Sequence, residues 1–136
     1  MNYIVVNVVA ILLATCAGLF VGAGYRILAV RPRSSLGQRG GRLPISLAIT
    51  ALVAEFWLAS ILAGALILAP QQADPWIMAL GSAVVIWIGF IVPVLMVTHL
   101  FRGLSLAAAL LDSGHWIAVL LAHATVLHSV GLIRVA

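Results

Sequence analysis

"WIMALGSAVVIWIGFIVPVLMVTHL", residues 76–100, contains no Asp, Glu, Lys or Arg. A helix rises about 1.5 Å per residue, so a run of this length can cross the roughly 30 Å of hydrocarbon in a bilayer. A transmembrane β-strand would alternate polar and apolar residues over about ten positions, and this stretch does not alternate. The stretch therefore predicts a membrane-spanning helix.

Three further apolar runs have the same character, and they cover residues 3–28, 45–69 and 104–133. The whole chain of 136 residues is 65% hydrophobic and 7% charged. A soluble domain carries roughly 25% charged residues, so this chain could not cover a water-facing surface. We predict an all-α polytopic membrane protein, a bundle of four transmembrane helices that forms a single domain over residues 1–136.

The basic residues predict the orientation of the bundle. Positive charge beside short loops marks the cytoplasmic side of a membrane protein. Only Arg134 lies on one side of the predicted spans, and the other side holds Arg26, Arg31, Arg33, Arg39, Arg42 and Arg102. We therefore expect both termini on the non-cytoplasmic side. Because these arginines adjoin apolar runs, the net charge of +4 indicates membrane orientation, and we expect no nucleic acid partner.

Small residues recur at helical spacing in the first and fourth runs. Ala14, Gly18 and Gly22 are four residues apart, and Gly114 and Ala118 repeat this spacing. Such faces let helix backbones approach closely in lipid, although an Ala- and Gly-rich chain also produces them by chance. In the third run Pro93 cannot donate a hydrogen bond to the carbonyl of Gly89, which predicts a helix kink there. These positions are the candidate packing and kink residues.

Ionisable residues interrupt the second and fourth runs. Asp112, His115 and His123 fall within an arc of roughly 80° on one predicted helix. Counting about 1.5 Å per residue from the cytoplasmic ends places Glu55 at about 16 Å, His115 at about 15 Å and Asp112 at about 10 Å. The same count places His123 near the outer interface and His128 at the surface.

Such groups are costly in lipid, by at least about 2.5 kcal/mol each, so they should face inward and meet partners. We expect an intramembrane polar cluster whose members are Glu55, Asp112, His115, Tyr25 and Arg26, with Glu55 contacting His115. Two interpretations stay open at this point. The cluster could be a structural clamp between helices, or it could be a site for a proton or a solute.

Metal, cofactor and nucleophile motifs are weak in this sequence. Di-metal bundle sites need two carboxylate-x-x-His motifs, and "DSGH", residues 112–115, supplies one. His99 is predicted at a cytoplasmic helix end, away from the depth at which a second haem ligand would be needed. Cys16 is the single cysteine, and it has no nearby base in a recognisable motif. We expect no metal, no cofactor and no enzymatic activity.

Two stretches together resemble a bacterial membrane family. "GLFVGAGYRILAV", residues 18–30, is similar to that family's Gly-x-x-Tyr segment at the end of its first helix. "IWIGFIVPVLMVTHLFRGLSLAAALLDSGHWIAVLLAHATVL", residues 86–127, resembles its Gly-Phe-x-x-Pro helix, its short charged loop and its Asp-x-Gly-His/Tyr helix. The family is catalogued as domain of unknown function seventeen sixty-one. The resemblance covers most of the chain outside the Arg-rich loop, residues 31–44, and the second run, residues 45–69. It implies four helices in the bacterial inner membrane and brings no established activity.

Two functions follow from these features. The small-residue faces and short loops favour a protein that acts by helix association, as a homo-oligomer or as an accessory subunit of a larger membrane complex. The ionisable groups at mid-depth favour instead a small proton- or cation-linked transporter or channel that uses Glu55, Asp112 and His115. A water-filled path to Glu55 would favour the second function, and a sealed cluster beside an exposed groove would favour the first.

Overall fold

The structure is a computed structural model that describes residues 2–29, 45–70, 72 and 74–134. Its helices are α1 (Asn2–Val6), α2 (Val8–Ala29), α3 (Ile45–Leu68), α4 (Pro75–Ile86), α5 (Val92–Phe101) and α6 (Leu106–Val130), with a π-helical turn at Trp87–Ile91 between α4 and α5. Four helical segments are long and apolar enough to cross a membrane, namely Val8–Leu28, Ile45–Leu68, Pro75–Phe101 and Leu106–Val130. The predicted all-α class with four membrane-spanning helices is confirmed.

Side-chain caps determine where two of the helices begin. The Asp74 carboxylate accepts hydrogen bonds from the backbone N–H groups of Trp76, at 2.9 Å, and Ile77, at 3.1 Å. Ser105 caps α6 in the same way, since its hydroxyl accepts from the N–H of Ala108 at 3.2 Å. These bonds satisfy donors that have no partner inside the helix. The chain can therefore turn sharply between spans without leaving unpaired amides.

The helix α6 lies at the centre of the bundle. It packs most extensively against α2, and it also contacts α3, α4, the π-helical turn and α5. The buried apolar core is made mostly of alanines, so the backbones approach closely, as is usual for helices packed in lipid. Its members are Ala10, Ile11, Ala14, Ala59, Leu62, Ala63, Ala79, Ala83, Leu120, Ala124 and Leu127.

The third span contains an irregular turn at the position where the sequence predicts a kink. The N–H of Val92 bonds to the carbonyl of Trp87, five residues earlier, which widens the helix immediately before Pro93. The Trp87 indole N–H donates to the backbone carbonyl of Ser113 at 2.9 Å and so ties the turn to α6. Gly89 is exposed, with open space where a Cβ would lie, so packing does not require glycine there.

Both ends of the described chain meet at one end of the bundle. Gly131 ends α6 with φ of 83°, in the left-handed region that favours glycine, and the chain turns back there. The buried Asn7 side chain then donates to the carbonyl of Ile133 at 2.9 Å and accepts from the N–H of Ile133 at 2.7 Å. The assignment of this end to the non-cytoplasmic side stays a prediction. Four of the arginines on which this prediction rests, at the opposite end, lie outside the described residues, namely Arg31, Arg33, Arg39 and Arg42.

Candidate polar site in the helix bundle

A carboxylate and an imidazole meet in the interior of the bundle. The Glu55 Oε2 atom of α3 lies 3.1 Å from the His123 Nε2 atom of α6, and the two side chains are 6% and 0% exposed. The atoms are close enough for an ion pair, but they lack the alignment of a hydrogen bond. Among the described residues, both imidazole nitrogens of His123 are without a hydrogen-bond partner. This buried contact is the central feature of the candidate site.

The first membrane-spanning helix provides the space for this pair. A methyl group built on Gly18 would overlap the His123 imidazole and would lie 2.7 Å from the Glu55 carboxylate. Real Cβ contacts are essentially never shorter than 3.0 Å. Three helices therefore form the pair together, since α3 supplies the acid, α6 the base and α2 a glycine that leaves room for both.

His115 lies in a second recess between α2 and α6. A methyl group on Gly22 would approach its Cε1 atom to 2.8 Å, and the Tyr25 ring packs edge-on against the imidazole with 5.7 Å between centroids. The Tyr25 hydroxyl donates to the backbone carbonyl of Leu111 at 3.0 Å. Among the described residues, the His115 Nδ1 atom is buried without a hydrogen-bond partner. Tyr25 and Trp116 pack against its ring, and among the described residues no carboxylate forms an ion pair with it.

A second acid–base pair joins α5 to α6. The Asp112 Oδ2 atom lies 2.9 Å from the His99 Nε2 atom, and this pair has hydrogen-bond geometry. The His99 side chain is nearly buried at 9% exposed, whereas the Asp112 side chain is 55% exposed. The carboxylate of the second pair is therefore exposed on the outside of the bundle, toward the end opposite the ends of the described chain.

The predicted polar cluster is thus divided into three parts, and its central contact differs from the predicted contact between Glu55 and His115. Glu55 contacts His123 and not His115, and Asp112 contacts His99. The Tyr25 ring packs against the His115 ring, but the Tyr25 hydroxyl bonds to a backbone carbonyl. Arg26 is exposed near the end of α2.

The depth count explains the difference, because it assumed that the helices begin at one level. At about 1.5 Å per residue, Glu55 lies about 15 Å along α3 and His123 about 26 Å along α6. Their contact shows that the starts of α3 and α6 are offset. His123 is therefore buried at the level of Glu55, whereas the depth count placed these two residues at different levels.

The sequence did contain a signal for the second pair. A turn with Gly103 at φ of 69° joins α5 to α6, so the last turn of α5 must lie beside the first turns of α6. The thirteen-residue separation of His99 and Asp112 suits a contact across that hairpin. An interpretation of His99 as a haem ligand alone misses its neighbour Asp112 across the turn.

The predicted small-residue positions lie inside this chain. Ala14 is fully buried, and Gly18 and Gly22 lie against the histidines of α6. From the other side, a methyl group on Gly114 would approach the Tyr25 hydroxyl to 2.6 Å. Ala118, between these levels of α6, is half-buried. The α2–α6 interface thus uses the small faces that could otherwise have served a neighbouring subunit.

The polar groups are distributed along α6, without converging on one point. Asp112, His115 and His123 lie about 9, 14 and 26 Å from the start of the helix. In the part of the chain that the structure describes, no three His, Cys, Asp or Glu side chains come together in a group that could hold a metal ion. The arrangement consists of two acid–base pairs with a single imidazole between them, and carboxylates and imidazoles are side chains that can take up and release protons.

No protein family, no curated protein and no solved structure matches the chain. The resemblance to the bacterial family of unknown function stays a prediction.

Proposed function

We propose that the protein is a small proton-linked transporter or channel in which the Glu55–His123 pair takes up and releases protons inside the bundle. The observation that carries this proposal is the contact of 3.1 Å between a carboxylate and an imidazole that are both buried at mid-bundle. An ionisable residue within a membrane span is costly and commonly marks a proton or ion pathway.

Stability alone gives little reason for such a pair. Replacing a buried ion pair by well-packed apolar residues is often neutral or stabilising, because desolvation offsets most of the attraction. Here the pair also requires a glycine at position 18, which costs about 1 kcal/mol relative to alanine in a helix. A bundle that needed only to hold together would be better served by apolar side chains at Glu55 and His123.

The other polar groups support a path along α6. His115 and the His99–Asp112 pair continue from the central pair toward the end opposite the termini, where Asp112 is exposed. In the other direction, Leu127 lies one turn beyond His123 and lines a cavity at the end where the termini meet. Val119, fully buried, separates His115 from His123, so proton transfer requires motion of the imidazoles or transient hydration.

Proton flux into vesicles tests the proposal. The protein is reconstituted into liposomes that contain a pH-sensitive dye, and a potassium diffusion potential drives protons inward. We expect faster acidification than in protein-free liposomes, and we expect Glu55→Gln and His123→Gln to abolish the difference. The control Asp74→Asn makes the same acid-to-amide change away from the path and keeps a good helix cap. Flux that is unchanged in Glu55→Gln, or absent from the unaltered protein, would contradict the proposal.

A second candidate function is association with another membrane subunit or with a second copy of the chain. It is favoured by an apolar groove of about 460 Å³ between α3 and the third span, open to the surrounding lipid. Its walls include three aromatic side chains, Trp57, Phe90 and Trp116. Because the small faces of α2 and α6 lie inside the bundle, this groove replaces them as the candidate surface for association.

The mass of the purified protein tests this second function. Light scattering with correction for detergent should give a mass above the monomer's 14.3 kDa, and Trp57→Ala should reduce it. Ile77→Ala removes an exposed apolar side chain outside the groove and is the control. A monomeric mass in several mild detergents, together with no co-purifying subunit from native membrane, would contradict this candidate.

We propose that the protein lies in the inner membrane of a bacterium, with both termini on the non-cytoplasmic side, and that it has no enzymatic activity. The bacterial inner membrane is what the family resemblance implies. Arg26 and Arg102 at one end of the bundle, against Arg134 at the other, support this orientation.

A further inference from the structure

A cavity of about 400 Å³ opens at the end of the bundle where the two termini meet. It lies between the last turn of α3, the first turn of α4 and the segment that follows α6. Apolar side chains form part of its wall, among them Leu66, Met78, Leu127 and Leu132, and the rest of the wall is polar. Its volume is within the usual range for binding sites of small organic molecules. The Glu55–His123 pair does not line it.

Two nitrogen-bearing side chains lie at this cavity, His128 and Arg134. The His128 imidazole packs against the Trp76 ring, with 4.2 Å between ring centroids. Arg134 directly follows Ile133, whose backbone is held in both directions by Asn7. The Asp74 carboxylate, which is outside the cavity lining, accepts hydrogen bonds from two backbone N–H groups as the cap of α4. Among the described residues that line the cavity, Arg134 carries the fixed charge, and the backbone next to it is held in place.

We propose that this cavity binds an amphiphilic anion, with a carboxylate or phosphate head on Arg134 and an apolar chain against the cavity wall. Arginine is well suited to such heads because its planar guanidinium can donate two parallel hydrogen bonds to one oxyanion. The site lies beside the ends of α3 and α6, at the level of the membrane interface. A lipid-derived anion there can keep its head in water while its chain reaches the apolar wall.

The apolar part of the wall favours an amphiphilic anion over a free inorganic one. A small hydrated anion would bind the Arg134 guanidinium but would leave the apolar surface of Leu66 and Leu132 uncovered. An alkyl chain covers that surface, and removal of apolar area from water is favourable by roughly 25 cal/mol per Å². The charge of Arg134 thus favours an anionic head group, and the apolar side chains of the cavity favour an alkyl chain.

Electron paramagnetic resonance of spin-labelled amphiphiles in phosphatidylcholine vesicles tests the proposal. The probes are a spin-labelled stearate, an alkyl phosphate of equal length and an alkyl trimethylammonium of equal length. We expect the motionally restricted fraction to show a relative association constant roughly ten-fold higher for the anions than for the cation. Arg134→Gln should abolish this preference, and Arg102→Gln, at the other end of the bundle, should retain it.

A second variant tests the cavity independently of charge. Ala69→Leu fills part of the cavity and should lower stearate binding, whereas Ala54→Leu, in the apolar groove, should not. Circular dichroism verifies the fold of each variant. An anion preference that survives Arg134→Gln, or one that Arg102→Gln removes equally, would overturn the proposal. Displacement of stearate by inorganic phosphate at comparable concentration would overturn it as well, because the ligand would then be a free anion.

Discussion

His99 contacts Asp112 across the turn between α5 and α6, with a distance of 2.9 Å between Nε2 and Oδ2. Its other ring nitrogen, Nδ1, lies 2.9 Å from the carbonyl oxygen of Leu95, which can only accept a hydrogen bond. Nδ1 therefore serves as the donor to this carbonyl. The two contacts orient the His99 ring and tie the last turn of α5 to α6.

Asp112→Asn should be tolerated better than Asp112→Ala, because the amide can donate to Nε2 of a neutral His99. The loss in Asp112→Ala should be at most about 1 kcal/mol, since the carboxylate is largely exposed. Hydrogen exchange of the Leu104 N–H, which donates to the His99 carbonyl at 2.9 Å, reports on the turn. His128→Gln, at the other end of α6, is the control. Equal exchange rates in the Asn and Ala variants would contradict the prediction.

Glu55→Leu should destabilise the protein more than Glu55→Gln. The amide keeps a polar group beside His123, whereas leucine replaces the carboxylate that faces this buried imidazole by an apolar group, at a cost of about 1–3 kcal/mol. Thermal unfolding in detergent measures both variants. The double variant Glu55→Leu/His123→Leu removes both polar groups and should recover part of the loss. If Glu55→Leu proves as stable as Glu55→Gln, the contact contributes nothing to the fold.

Gly18→Ala should lower the unfolding temperature, because the added methyl group collides with the His123 ring and the Glu55 carboxylate. Overpacking of this kind costs about 1–3 kcal/mol. Gly24→Ala is a matched control on the same helix, with nothing within 4 Å of its Cβ. This control should be neutral or slightly stabilising, since alanine is the better helix former. An unchanged transition in Gly18→Ala would mean that the recess is not as tight as described.

Asn7→Asp should loosen the C-terminal segment. Aspartate can still accept from the N–H of Ile133, but it cannot donate to the Ile133 carbonyl as the amide does. We expect faster hydrogen exchange of the Ile133 amide and faster trimming by a carboxypeptidase. Asn2→Asp, an exposed position on α1, makes the same change without a partner in the segment. Identical exchange in the two variants would show that Asn7 does not hold the end of the chain.

Reporter fusions test the orientation. A fusion at the C-terminus should be active only with a reporter that works outside the cytoplasm, and a fusion at residue 37 only with a cytoplasmic reporter. The reason is the excess of arginine on the side of residue 37. A C-terminal fusion that is active in the cytoplasm would reverse the assignment of the two ends.

The sequence by itself determined that the chain suits a membrane, how many helices can span it and roughly where these helices begin and end. These follow from local properties, because a run such as residues 76–100 crosses a bilayer whatever its neighbours are. The sequence also predicted an irregularity near Pro93, since a proline removes a donor wherever it occurs in a helix. Its form, a π-helical turn at Trp87–Ile91, depended on packing against α6.

Only the tertiary structure decided which ionisable groups meet. A helical wheel places Asp112, His115 and His123 on one face of α6, but it contains no information on the axial offset of another helix. That offset is set by close packing of small residues such as Gly18 and Ala59 among three helices. Glu55 consequently meets His123 in place of His115. His99 meets Asp112 because the turn at Gly103 brings the end of α5 back beside α6.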